Sequence, residues 1–170
     1  PHAFARFTLG DMAAFVAAHT GLTCVLTAAD APENRYAIMS GRKDQPVLAE
    51  GLVRLRGEGV IALVGERATV EAIRDAEVPI TYEPFNAMLD IASATAPGAF
   101  QLHDDRPGNI LADGRVKKGD VGAAFKACAA IAEGEFETAY VEHAYIEPEA
   151  GWACRIGDRM EIHVSTQTPV

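Results

Sequence analysis

The densest group of residues that could do chemistry lies between positions 140 and 151. Three carboxylates, Glu142, Glu147 and Glu149, and one imidazole, His143, stand there among apolar residues. Charges interleaved with apolar residues occur on solvated strand faces, and they also occur as buried carboxylates that accept hydrogen bonds from backbone N–H groups. The spacing favours neither arrangement, so both interpretations stay open.

The other residues that could ligate a metal or bind phosphate are scattered along the chain. The five histidines form no HExxH motif and no pair four residues apart, which argues against a histidine metal site. His103, Asp104 and Asp105 are interpreted as solvated charge in a loop. The Gly-Glu-Gly segment at 57–59 lacks the third glycine and the following helix of a phosphate-binding loop, so it predicts a turn.

The three cysteines are the remaining nucleophiles. Cys24, Cys128 and Cys154 lie far apart, each among apolar neighbours. Their odd number and wide spacing fit neither a disulfide framework nor a CxxC metal site. We therefore predict buried, unreactive thiols in a reducing compartment, taken as the cytoplasm.

The elements that must position these groups follow from the spacing of apolar residues. Residues 4–9 alternate in polarity, which predicts a strand. A helix is expected from the N-cap Asp11 to His19, with Gly21 as its stop, and a buried strand over 22–27 follows. This order predicts one β-α-β-like unit.

The same order of elements recurs further along the chain. Apolar spacing predicts a strand over 60–64, a helix over 68–76 and a strand over 78–82. Pro79 has no backbone N–H to donate, so this last strand is expected at the edge of a sheet. The two units together predict an α+β fold with a mixed sheet.

The composition then changes to proline, glycine and aspartate between residues 97 and 115, which predicts a linker. Beyond the linker, a short helix over 121–125 is expected to begin at Asp120. A strand rich in acidic residues is predicted over 129–140. A hairpin that turns at a Gly-Asp pair is predicted over 152–165.

Composition and charge exclude several classes of protein. The 170 residues are 49% apolar and 23% charged, which is typical of a globular domain. The net charge of -9 repels phosphate backbones and anionic lipids, and the chain has no apolar run of about 20 residues. We therefore expect neither nucleic acid nor a membrane as a partner. Because the sequence opens without Met and ends just after a strand-like segment, we also expect it to be a fragment.

Short motifs in a fixed order resemble a known family. The acidic segment at 142–151, followed by Val-Ser-Thr-Gln at 164–167, resembles the molybdopterin-binding subunit of the xanthine dehydrogenase and aldehyde oxidase family. Upstream segments resemble that family's α/β hammerhead domain: 1–3, 5–6, 25–30, 46–49, 56–58, 60–64, 82–84 and 105–109. Residues 119–125 and 133–138 resemble the bridge into its molybdenum-binding domain.

The resemblance implies the domain organisation and the chemistry. It implies a hammerhead domain over 1–96, a linker over 97–115 and the truncated start of a molybdopterin-binding domain over 116–170. The complete enzyme is expected to oxidise a small molecule, an aromatic N-heterocycle such as a purine or an aldehyde, with oxygen taken from water. Molybdopterin is expected in the full-length protein, with iron–sulfur clusters and FAD on partner subunits or domains. This chain alone is expected to hold none of them and to be inactive.

One residue is implied to face the cofactor. Many members of the family have a glutamine that donates a hydrogen bond to a molybdenum oxo ligand, and the matching position here is Val141, which has no donor. No catalytic or metal-ligating residue is assigned in this chain. The alternative function is a non-catalytic α+β interaction or scaffold module with the hammerhead fold. It is supported by the lack of a complete catalytic set of residues, and the reading frame downstream of Val170 distinguishes the two.

Overall fold

The computed structural model describes residues 2–37, 43–139, 141, 142, 144, 146 and 150–166. In chain order its elements are β1 (Ala5–Leu9), α1 (Met12–Ala18), β2 (Leu22–Leu26), β3 (Arg35–Tyr36), β4 (Gln45–Pro46), β5 (Leu52–Val53), β6 (Ala62–Gly65), α2 (Arg67–Ala72), β7 (Ile80–Pro84), α3 (Ile91–Thr95), α4 (Val121–Ala127), β8 (Gly151–Ile156) and β9 (Arg159–Val164). Single 3-10 turns lie at Ala28–Asp30, Asp75–Glu77 and Pro107–Asn109.

The strands form small antiparallel sheets. One sheet has the order β5-β1-β7, and β2 pairs with β6 in a second sheet. Each predicted strand–helix–strand unit therefore gives one strand to each of these two sheets. The α+β class is confirmed, but the predicted mixed sheet is wrong for the described strands, because the two strands of each unit enter different sheets instead of lying parallel in one.

The core lies against the three-stranded sheet. Burial alternates along β1, so that Ala5 and Phe7 point inward while Arg6 is exposed. Ala49 and Val53 complete the buried cluster. Four partly buried side chains pack around it, those of Leu9, Val60, Ile80 and Tyr82.

Several predicted elements are confirmed. The backbone N–H of Ala14 donates to Asp11 Oδ1 over 2.9 Å, so Asp11 is the N-cap of α1. Asp120 caps α4 in the same way. Strand β7 begins just after Pro79 and lies at the edge of its sheet, as a proline at this position requires. The predicted hairpin is present as β8 and β9.

Two further predictions are wrong. Residues 129–139 form no strand; position 140 lies outside the described residues. Phe136 is 95% exposed, since no described strand pairs with this segment to bury one of its faces. The cysteines are not buried: Cys24 and Cys154 are half-buried, and Cys128 is exposed because it ends the exposed helix α4.

Contacts divide the chain into two compact units, residues 1–111 and 112–170. The first unit contains the buried core described above. Of the described residues between 112 and 166, only Cys154 and Glu161 are half-buried, and the rest are exposed. The boundaries expected from the resemblance, 1–96, 97–115 and 116–170, remain predictions. Among the described residues, no helix is long and apolar enough to cross a membrane.

Candidate functional site

The predicted cofactor-facing residue lies in the second unit. Val141 is described and is 81% exposed, and Ile146 is fully exposed. Glu142 is also exposed, which favours the solvated alternative at that position. His143, Glu147 and Glu149 lie outside the described residues, so both interpretations, a solvated face and buried carboxylates, stay open for them. The role of Val141 remains a prediction.

The hairpin of the second unit carries an aromatic pair that the sequence reasoning missed. Trp152 and His163 face each other across β8 and β9, with ring centroids 4.1 Å apart and planes inclined by 11°. Both side chains are more than half exposed. A signal for this pair is present in the sequence, because the two positions are equally distant from the predicted Gly-Asp turn. The stack presents a flat aromatic surface on one face of the hairpin.

A charged pair closes the predicted turn at 57–59. The backbone N–H of Arg54 donates to Glu58 Oε2 over 2.6 Å, and Arg54 Nη2 donates to Oε1 over 3.0 Å. The Glu58 side chain is only 8% exposed. Gly57 provides the turn with φ of +99°, a conformation that favours glycine. The predicted turn is confirmed. Glu58 stabilises it, a structural role that the sequence around Glu58 did not indicate.

A second polar cluster lies beside strand β3. Arg35 Nη2 donates to Glu50 Oε2 over 2.6 Å, and Asn34 Nδ2 donates to Glu50 Oε1 over 2.8 Å. These hydrogen bonds, first that from Arg35 and then that from Asn34, hold the pKa of Glu50 below its usual value. Hydrogen bonding to Glu50 raises the pKa of Arg35 correspondingly. The cluster therefore contains a carboxylate that remains ionised in mildly acidic solution.

The loop histidine joins this polar region. His103 Nε2 lies 3.7 Å from Asp44 Oδ2, and both side chains are mostly buried. The interpretation of His103 as solvated charge is therefore wrong: the chain folds back and packs it beside Asp44. Arg35, Glu50 and His103 line one cavity of about 460 Å³. Its walls carry charges of both signs, and no group of three His, Cys, Asp or Glu side chains in the described part of the chain is placed to hold a metal ion.

A second, more apolar cavity of about 550 Å³ lies in the first unit, beside α3, and shares Arg54, Leu102 and His103 with the charged cavity. Asn109 fixes its wall by three side-chain hydrogen bonds. Its Nδ2 donates to the carbonyls of Ala94 and Phe100, over 2.8 and 2.9 Å, and its Oδ1 accepts from the N–H of Leu102 over 2.8 Å. Asn109 has φ of +57°, a conformation that asparagine tolerates better than most residues. No local pattern in the sequence indicates this role.

Comparison with known proteins gives one family match and several relatives. Residues 102–170 match the molybdopterin cofactor-binding domain. A probable xanthine dehydrogenase subunit of Bacillus subtilis (strain 168) is 33% identical over 134 residues, which are 78% of this chain and 17% of that protein. The nicotinate dehydrogenase large molybdopterin subunit of Eubacterium barkeri is 30% identical over 140 residues, which are 81% of this chain and 32% of that protein.

A vertebrate relative is similar over a slightly longer stretch. The xanthine dehydrogenase/oxidase of Gallus gallus is 30% identical over 149 residues, which are 86% of this chain and 10% of that protein. The chain thus spans less than a third of the length of each of these relatives. The alignments include both compact units, because each covers more of the chain than either unit alone.

Proposed function

We propose that this chain, which is related to the molybdopterin-binding subunits of the xanthine dehydrogenase family, forms part of such a subunit. The match of residues 102–170 carries the proposal. It confirms the resemblance and the molybdopterin cofactor expected from it. We assign the hammerhead domain to residues 1–96, the linker to 97–115 and the start of the molybdopterin-binding domain to 116–170.

The activity proposed for the complete protein is the hydroxylation of a small molecule with oxygen from water. When bound, molybdopterin supplies the redox centre that accepts the two electrons removed from the substrate. Iron–sulfur clusters and FAD on partner subunits or domains then carry these electrons onward. The names of the bacterial relatives contain xanthine and nicotinate, which are both aromatic N-heterocycles, so we favour that substrate class over aldehydes.

The described residues do not by themselves fit a bound molybdopterin. A pterin with its phosphate needs converging, buried hydrogen-bond donors. No polar or charged side chain is fully buried in the described part of the chain, and the described residues of the second unit are almost all exposed. We therefore assign no catalytic step to residues of this chain. We also propose that the 170-residue chain alone binds no molybdopterin and has no hydroxylase activity.

Val141 is the one position that we propose near the metal of the complete protein. The substitution Val141→Gln supplies the amide donor that many family members have at this position. A donor well placed on developing negative charge changes turnover by about 10²-fold. The same amide, buried without a partner, lowers the free energy of unfolding by about 1–3 kcal/mol.

The matched control for Val141→Gln is Ile146→Gln, because Ile146 is fully exposed on the same segment. Turnover, molybdenum content and melting temperature are measured for both variants of the natural protein that contains this chain. We expect Val141→Gln to change at least one of them and Ile146→Gln to change none. If Val141→Gln also changes none, Val141 lies away from the metal.

The reaction type is tested by the origin of the oxygen atom. The natural protein, loaded with its cofactor, is incubated with xanthine, nicotinate or benzaldehyde in water labelled with ¹⁸O. We expect one substrate class to yield a product that carries the label. A hydroxylated product that lacks the label would refute the transfer of oxygen from water. Absence of turnover on all three by a protein that also lacks molybdenum would instead support the scaffold alternative.

A further inference from the structure

We propose that the first unit holds a binding site for a small carboxylate with a flat apolar body. The site is the apolar cavity of about 550 Å³ beside α3. All residues that line this cavity belong to the first unit. The proposal is independent of the enzymatic function proposed above.

The size and the walls of the cavity suit a small aromatic molecule. Its volume falls within the range of about 300–1,000 Å³ that is typical of small-molecule sites. The Phe4 ring lies 4.9 Å from that of Phe100, centroid to centroid, and offers a tilted aromatic wall. Leu89 and Leu102 line the cavity and remain 83% and 43% exposed. A flat apolar body can pack on these rings and cover the aliphatic side chains.

Hydrogen bonds hold the walls of the cavity in place. Asn109 ties α3, the chain at Phe100 and the chain at Leu102 to one another through its single side chain. Asp90 caps α3 by accepting from the N–H of Ser93 over 2.7 Å. A site that is formed before binding costs less ordering free energy when it is occupied. These bonds therefore favour a specific ligand over loose adsorption.

The charges on the cavity wall select an anion. Arg54, Arg56 and Arg106 line the cavity, and none of the described residues lining it is acidic, although the chain carries a net charge of -9. Arg54 is neutralised by Glu58. Arg56 is exposed and forms no hydrogen bond or ion pair with the described residues. The wall thus presents an uncompensated positive charge next to an apolar surface.

Arg106 adds a donor that lacks an acceptor. Its Nε is excluded from solvent and has no hydrogen-bond partner in the described part of the chain. Its Nη1 donates to the carbonyl oxygen of Asp105 over 3.3 Å and forms a long ion pair, 3.6 Å, with Asp105 Oδ2. Guanidinium groups bind carboxylates through parallel N–H donors. Arg56 and Arg106 both line the cavity, and for this reason we place the acid of the ligand at these two arginines.

The test is a pair of probes that differ in charge. Calorimetric titration of the 170-residue chain is done with 1-naphthoate and with the neutral 1-naphthalenemethanol. We expect 1-naphthoate to bind about tenfold more tightly than the alcohol. Arg56→Gln is expected to weaken naphthoate binding about fivefold and to leave the alcohol unchanged. The control Arg67→Gln, at an exposed arginine paired with Glu71 outside the cavity, is expected to change neither.

Two results would overturn the proposal. Equal affinities for the acid and the alcohol, or naphthoate binding unchanged by Arg56→Gln, would show that the arginines do not select an anion. Ala94→Phe is expected to fill the cavity and abolish binding of both probes. Full naphthoate binding by folded Ala94→Phe would place the bound ligand elsewhere. If Ala94→Phe does not fold, the comparison of Arg56→Gln with the native chain still tests the proposal.

Discussion

Removal of the Asn109 side chain tests which interactions hold the wall of the apolar cavity in the first unit. Asn109→Ala loses three hydrogen bonds, to Ala94, Phe100 and Leu102. The bond to Ala94 is partly buried and contributes about 1 kcal/mol, while the two exposed bonds contribute about 0.5 kcal/mol each. Alanine at φ of +57° costs about 1 kcal/mol more. We expect the free energy of unfolding to fall by about 3 kcal/mol in total.

Urea unfolding followed by far-ultraviolet circular dichroism measures this loss, and amide exchange at Leu102 localises it. Asn109→Gly separates the two causes, because glycine relieves the backbone strain but not the lost bonds, so it is expected to cost about 1 kcal/mol less than alanine. The control Asn86→Ala changes an exposed asparagine that makes no hydrogen bond to the described residues. If Asn109→Ala costs no more than Asn86→Ala, the hydrogen bonds do not hold this wall.

Three other substitutions probe the turn at 57–59, the polar cluster and the β2–β6 pair. Glu58→Ala is expected to lower the free energy of unfolding by about 1–3 kcal/mol in urea titrations, since it removes the carboxylate partner of the half-buried Arg54 and leaves its guanidinium only the carbonyl of Asp44. Glu71→Ala, at an exposed pair, is expected to cost under about 0.5 kcal/mol, and equal losses would contradict this. The folded-state pKa of Glu50 is depressed, so its stabilisation is present above the ordinary value of 4.5 and is lost as pH falls through the lower folded value. The stability difference between the native chain and Glu50→Gln is therefore expected to shrink from neutral pH to about pH 3, and a difference independent of pH would refute it. Gly65→Ala places a Cβ 2.8 Å from Leu22 Cα and is expected to lower the melting temperature. The control Gly114→Ala, whose Cβ meets no atom within 4 Å, is expected to leave it unchanged. Equal melting temperatures for the two variants would show that β2 and β6 accommodate the methyl group without loss of stability.

Local signals predicted the elements well where they act within a few residues. Asp11 and Asp120 cap their helices because the carboxylate needs only the next turn to find an N–H. The Gly-Asp pair forms the hairpin turn for the same reason. The pairing of strands was less predictable. It depends on which distant strand offers an edge, and β1 pairs with β7, whereas β2 pairs with β6.

The candidate sites depend on contacts between distant residues, and sequence reasoning largely missed them. His103 meets Asp44, 59 positions away, and the spacing of neither residue signals that contact. Asn109 stands out in the sequence only as part of a family motif, since its three partners are backbone groups that any sequence provides. The acid-rich segment 129–139 alternates in polarity like a strand, but no described strand pairs with it. The alternating pattern alone is therefore not sufficient to predict a strand.

The central claim, that this chain forms part of a molybdopterin-binding subunit, is tested most directly by metal content. Molybdenum per polypeptide is measured by mass spectrometry in the natural protein that contains this chain and in the 170-residue chain, both purified from cells supplied with molybdate. We predict about one molybdenum atom per polypeptide in the natural protein and essentially none in the 170-residue chain. A natural protein that folds, carries this chain and contains no molybdenum would contradict the account.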